Sequence, residues 1–175
     1  MREFVAVDVE PEGRPAPGGA ASHLTLRFLG EVAPARNDAI ASRLSDVARE
    51  SPPFALRLEG VGAFPSPSRP RVVWVGVTEG RREVTELARR VRDALAAEFG
   101  PEPDEFVPHL TLFRVRSPRD REAAAELLSG ARPAPPPREV RIDRLLLKES
   151  ILGTGGAIHR ILAAFPLVAT RSAPD

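Results

Sequence analysis

The chain has 175 residues, 42% of them hydrophobic and 28% charged, and its 25 basic residues nearly balance 24 acidic ones for a formal net charge of +1. That is enough apolar material for a sizeable core, and the balance excludes the strong basic excess used to wrap long duplex DNA, though not a small anionic substrate held by local charges. The chain has no cysteine, which excludes disulfides, thiolate nucleophiles, thiolate zinc sites and iron–sulfur clusters.

Phe4–Val9 alternates, with Val5, Val7 and Val9 on one face, and predicts a strand. Glu10–Ala21, with three prolines and three glycines, reads as a loop. His23–Leu29 alternates again and stops at Gly30, giving a second strand. From Pro34 to Glu50, Ile40, Leu44, Val47 and Ala48 fall at helical spacing. Phe54–Leu58 and Val72–Val77 read as strands, with a proline-rich loop, Gly60–Arg71, between them. Val84, Leu87, Ala88, Val91, Leu95 and Phe99 keep one stripe of a helix that Gly100 ends.

Val107–Val115 reads as a strand, entered through Pro108. Ser117 and Pro118 supply a cap and a first-turn proline for a helix reaching Leu128. After a Pro133–Pro137 linker come strands Val140–Leu147 and Ile158–Ala164, with Gly153–Gly156 as a hairpin turn. The order ββαββαβαββ is an α+β pattern. Residues 1–175 read as a single domain, because too little chain follows the proline linker to form another. Met1–Asp8 is too short and interrupted for a signal peptide, and no apolar run approaches membrane-spanning length, so the expectation is a cytoplasmic protein with no membrane association. Lys148 is the only lysine; the arginine bias reads as genomic base composition and not as an RNA-binding signature.

Two of the three histidines sit in identical strings, His23-Leu24-Thr25-Leu26 and His109-Leu110-Thr111-Leu112. Period-two geometry puts His23 and Thr25 on one strand face and the leucines on the other, and the second string does the same. Taken singly, a strand histidine beside a threonine is usually a hydrogen-bonded structural residue. Duplication of the whole frame reverses that, because unrelated structural histidines have no reason to share it. If the strands adjoin, two imidazoles and two hydroxyls surround one pocket. A neutral imidazole can deprotonate water and an imidazolium can protonate a departing alkoxide, while hydroxyls donate to non-bridging phosphate oxygens. That apparatus suits a strained cyclic phosphodiester. Zinc is a weaker reading, since a third ligand and a His-x-x-x-His spacing are missing, and no Gly-x-Ser-x-Gly elbow supports a serine hydrolase.

The paired strings resemble the His-x-Thr-x signature of the 2H phosphoesterases. Their contexts, Ser22–Val32, Val61–Val77 and Phe106–Arg114, look like the RNA 2′,3′-cyclic phosphodiesterase branch, historically called the 2′–5′ RNA ligase family. Phe4–Val7 and Leu147–Ser150 also fit, so the resemblance spans nearly the whole chain. It implies two pseudo-symmetric β/α lobes with antiparallel sheets forming a V-shaped cleft, one string on each wall, and hydrolysis of 2′,3′-cyclic phosphate RNA ends to 2′-phosphates. It implies His23 as proton donor to the 3′ oxygen, His109 as proton acceptor from water, and Thr25 and Thr111 as phosphate contacts, with no cofactor and no metal. Arg114 matches an arginine that often follows the second string, although strict alternation turns it away from His109 unless the strand bulges.

Departures from the family are Gly18–Ala21, where a tryptophan-bearing segment is common, and His159, where tyrosine is common. His159 reads as a residue of the cleft rim and not as a third catalyst. Trp74 reads as a packing residue, while Arg69 and Arg71 are candidates to reach an RNA phosphate. A monomer acting on RNA ends or oligonucleotides is expected. The rivals are a 2′–5′ ligase, a phosphodiesterase for another small cyclic or oligonucleotide substrate, and a noncatalytic RNA-end binding module.

Overall fold

A computed structural model describes residues 2–9, 23–102, 105–153 and 156–168, and among these there are eight strands and three α-helices. In chain order they are β1 (Arg2–Asp8), β2 (His23–Glu31), α1 (Asn37–Arg49), β3 (Phe54–Ser66), β4 (Arg69–Glu79), α2 (Arg81–Phe99), β5 (His109–Arg114), α3 (Pro118–Ser129), β6 (Arg138–Ile142), β7 (Arg144–Gly153) and β8 (Gly156–Pro166). They form two four-stranded antiparallel sheets, β2-β1-β7-β8 and β5-β4-β3-β6. The expected α+β fold with two matched sheets is the observed one. The segment 10–21, expected as a loop, lies outside the described residues.

One hydrophobic cluster runs through both sheets. Val5, Val7, Leu24 and Leu147 enter it from the first, Leu56, Val75, Val77 and Leu110 from the second, and Ile40, Leu44, Val84, Leu87, Val91 and Leu95 from α1 and α2. The stripe read from α2 is the buried face of that helix, and Gly100 closes it at φ 74°, its N–H donating to the Ala96 carbonyl at 2.8 Å. Ser117 caps α3 as expected: its Oγ accepts from the Asp120 N–H, and Asp120 in turn accepts from the Ser117 N–H. Arg27, 2% exposed, points into the same interior. It donates to the carbonyl oxygens of Arg92 at 2.7 Å and Gly100 at 2.6 Å, fastening β2 to the C-terminal half of α2 and its cap.

Two expectations are corrected. The proline-rich stretch Gly60–Arg71 is not a loop: β3 and β4 run through it as a long hairpin whose register continues to Ser66 opposite Arg69. Its prolines cluster at the far end, Pro65 opposite Pro70, where few ladder hydrogen bonds are lost. Val140–Leu147 is not one strand. It breaks at Asp143, so that β6 pairs with β3 in one sheet while β7 pairs with β1 and β8 in the other. Gly153 pairs with Gly156 as a hairpin turn requires, while Thr154 and Gly155 lie outside the described residues.

Candidate active site

The strands carrying the two strings are the edge strands β2 and β5, and these edges adjoin. Leu24 (0% exposed) and Leu110 (5%) turn inward to the shared core. The histidines therefore lie on the opposite face of each sheet, where His23 is 8% exposed and His109 half-buried.

On the first wall, His23 stands opposite Asp8 and Thr25 opposite Ala6. The His23 ring lies 4.9 Å from that of Phe4 and 4.8 Å from that of His159, edge-on to the latter. Burial pushes the His23 imidazole down to about 3, with Lys148 and then His159 adding to the effect. Its Nδ1 is buried and has no hydrogen-bond partner among the described residues. Lys148 is itself 4% exposed and donates to Asp8 Oδ1 at 2.7 Å.

On the second wall, His109 stands opposite Gly76 and Thr111 opposite Trp74. The His109 ring meets Phe64 edge-on at 4.9 Å and lies 6.2 Å from Trp74. Its Nδ1 is 2.7 Å from the Val107 carbonyl oxygen. A carbonyl only accepts, so Nδ1 carries the proton and, in the neutral ring, Nε2 keeps its lone pair. Burial lowers the His109 pKa, the Val107 hydrogen bond opposes that, and the Arg114 guanidinium lowers it further.

Both edge strands break their alternation after the string. In β5 a register shift between Val73 and Trp74 leaves Thr111 opposite Trp74 and Arg114 opposite Val72. Trp74 and Val72 share a face, so the bulge brings Arg114 round to the side of His109, where strict alternation had placed it on the reverse. In β2 a shift between Val5 and Ala6 leaves Thr25 opposite Ala6 and Phe28 opposite Phe4, which brings Phe28 to the side of His23.

Phe28 was missed in the sequence, although the repeated string places it at the same offset as Arg114. Its ring is 67% exposed and 6.1 Å from Phe4. His159, on β8 opposite Ser150, sits at the rim as expected. Trp74 packs as expected, its ring covering Gly62 so closely that a Cβ there would fall 2.2 Å from it. Arg69 and Arg71 are exposed, but Arg71 alternates with Trp74 and so leaves the histidine face. Among the described residues no group of three or more His, Cys, Asp or Glu side chains could hold a metal ion, and no helix is long and apolar enough to cross a membrane.

Residues 10–150, which contain both strings, match the family model of the 2′-5′ RNA ligase superfamily. The chain belongs to this superfamily. Among members of the 2′-5′ RNA ligase superfamily it is 40% identical over 141 residues to an RNA 2′,3′-cyclic phosphodiesterase of Aeropyrum pernix, covering 80% of this chain and 78% of that one. To the protein of the same name from Archaeoglobus fulgidus it is 38% identical over 181 residues, 94% of this chain and 99% of the other. Its fold is similar to that of E. coli LigT complexed with 3′-AMP, with a TM-score of 0.72 at 27% identity over 97% of this chain and 99% of that one. It is also similar to TT0787 of Thermus thermophilus, with a TM-score of 0.71 at 28% identity over 95% and 98%.

Proposed function

We propose that this protein is an RNA 2′,3′-cyclic phosphodiesterase that opens the cyclic phosphate to a terminal 2′-phosphate without a metal. The observation that carries this reading is the pair of imidazoles presented by one duplicated string on two adjoining edge strands. It is supported by superfamily membership and by relatives named for that activity.

In the proposed reaction His109 is the proton acceptor. Its Val107-anchored tautomer leaves Nε2 open to a water molecule, and water so activated attacks phosphorus in line. The bond from phosphorus to the 3′ oxygen breaks and His23 delivers a proton to that oxygen. His23 is neutral in the free protein at neutral pH. It takes up its proton as the anionic phosphate settles beside it, and buried beside Lys148 it surrenders that proton readily. Thr25 and Thr111 donate hydroxyl hydrogens to the non-bridging oxygens, and Arg114 neutralises charge there. The exposed ring of Phe28 offers a stacking surface for a base. A monomer acting on RNA ends in the cytoplasm completes the reading.

The test is incubation of purified protein with a dinucleotide ending in a 2′,3′-cyclic phosphate, with and without chelator. A 2′-phosphate product that persists in chelator is expected. A 3′-phosphate product, strict metal dependence, or binding with no turnover would overturn the reading; the last result would mark an RNA-end binding module.

A further inference from the structure

Of the 25 lysine and arginine residues, one is lysine, and it is the one buried beside His23. A compositional bias towards arginine accounts for the other cations but not for this exception. The ammonium of Lys148 is held by Asp8 at 2.7 Å, the two side chains being 4% and 11% exposed. A buried ion pair of this kind adds little stability over apolar residues of the same volume, because desolvation cancels much of the attraction.

The register shows what the pair surrounds. Asp8 stands opposite His23 and Lys148 opposite Phe4, with Ala6 between them on the same face of β1. The Phe4 ring touches both His23 and His159. Ala6 presents only a methyl group to that face, and the pair spans it. A planar, five-donor guanidinium is a poor substitute for a compact ammonium in such a place. The first wall has no other cation at the position equivalent to Arg114, since Phe28 stands there.

We propose that Lys148 is a positioning residue for the phosphodiester reaction: locked to Asp8, which stands opposite His23, it sets its ammonium beside that ring and helps drive the ring's proton onto the leaving oxygen. This inference rests on the proposed function for its second half only. The charged and titratable groups facing His23 are Asp8 from β1, Lys148 and Arg144 from β7 and His159 from β8, with His109 and Arg114 across the cleft from β5. Lys148 depresses the protonation of both His23 and His159, so its charge acts on the two rings together.

The experiment is NMR titration of the His23 ring in the full-length protein and its Lys148→Met variant, together with the pH dependence of kcat/KM. Lys148→Met removes the ammonium and leaves the Asp8 carboxylate beside the ring, so the His23 titration should rise by about one pH unit or more. The pH of maximal kcat/KM should rise with it. Lys148→Arg, if it folds, restores charge and should lie nearer to wild type. Should Lys148→Met fail to fold, the neutral pair Asp8→Asn/Lys148→Met carries the test, and its His23 titration should still rise. Superimposable His23 titrations in wild type and in whichever of these variants folds overturn the proposal. The titration needs no substrate, so that result is distinct from a failure of wild type to open a cyclic phosphate, which would overturn the proposed function instead.

Discussion

Phe28 and Arg114 occupy equivalent places on the two walls. Each follows its histidine by the same interval, and in each strand a register shift turns it back to the histidine's side. The duplication thus extends beyond the shared string into the backbone, while the side chains diverge into an aromatic ring on one wall and a guanidinium on the other. Arg114→Ala should therefore raise KM for a nucleoside 2′,3′-cyclic phosphate by roughly tenfold to a hundredfold through loss of a charged hydrogen bond. An unchanged KM would show that the bulge does not carry Arg114 to the phosphate.

Phe28 is mostly exposed, so Phe28→Ala should leave unfolding free energy within about 0.5 kcal/mol of wild type. It should nevertheless weaken the preference for substrates bearing a base by about tenfold. Steady-state kinetics with a nucleoside cyclic phosphate and a base-free cyclic phosphate, beside a urea melt, check both halves.

Separate replacement of His23 and His109 by alanine should lower kcat by roughly a hundredfold or more at each site while a non-hydrolysable analogue still binds. Rapid-quench turnover and calorimetric titration provide the two readings. Retention of full turnover in either variant would remove that ring from the chemistry.

His23 also makes stability depend on pH. Above its ordinary value of 6.5 the ring is neutral folded or unfolded and contributes nothing to the pH dependence. Between 6.5 and about 3 the unfolded chain binds a proton that the folded one refuses, so acidification destabilises the fold. The full slope is about 1.4 kcal/mol per pH unit and flattens below the folded value. His23→Gln should remove this component. Denaturant melts of the two proteins from pH 7 to pH 4 should diverge, and parallel curves would contradict the burial of the ring.

Gly62 lies under the indole of Trp74, the only tryptophan, which shares a face with His109. Gly62→Ala should cost about 1–3 kcal/mol by overpacking. It should also shift the emission of that single fluorophore and disturb the Phe64–Trp74–His109 contacts. An unaltered spectrum and melting temperature would show that the ring moves aside freely.

The α2 stripe, the Ser117 cap and the faces of both strings were legible because each is a local periodicity or a local hydrogen-bonding preference. The β3–β4 hairpin was not, because Pro65, Pro67 and Pro70 carry turn chemistry whatever the strands on either side do. The break at Asp143 was hidden because Val140–Ile142 alternates and Leu145–Leu147 follows as an apolar run, and neither pattern says which sheet its half joins. The two bulges depend on cross-strand partners in β1 and β4. Alternation therefore left Arg114 ambiguous and gave no hint of Phe28. The His159 contact with His23 likewise arises only when β8 closes the sheet beyond β7.

The Arg27 fastening has a mechanical consequence. It lies four residues after His23 on β2, and it clasps the C-terminal half of the helix whose stripe serves both sheets. Pulling β2 off α2 would drag this guanidinium from two carbonyls and wet the leucines beneath, so the strand that carries His23 is seated on the helix once the chain has folded. A substrate therefore meets a histidine strand that needs no seating of its own.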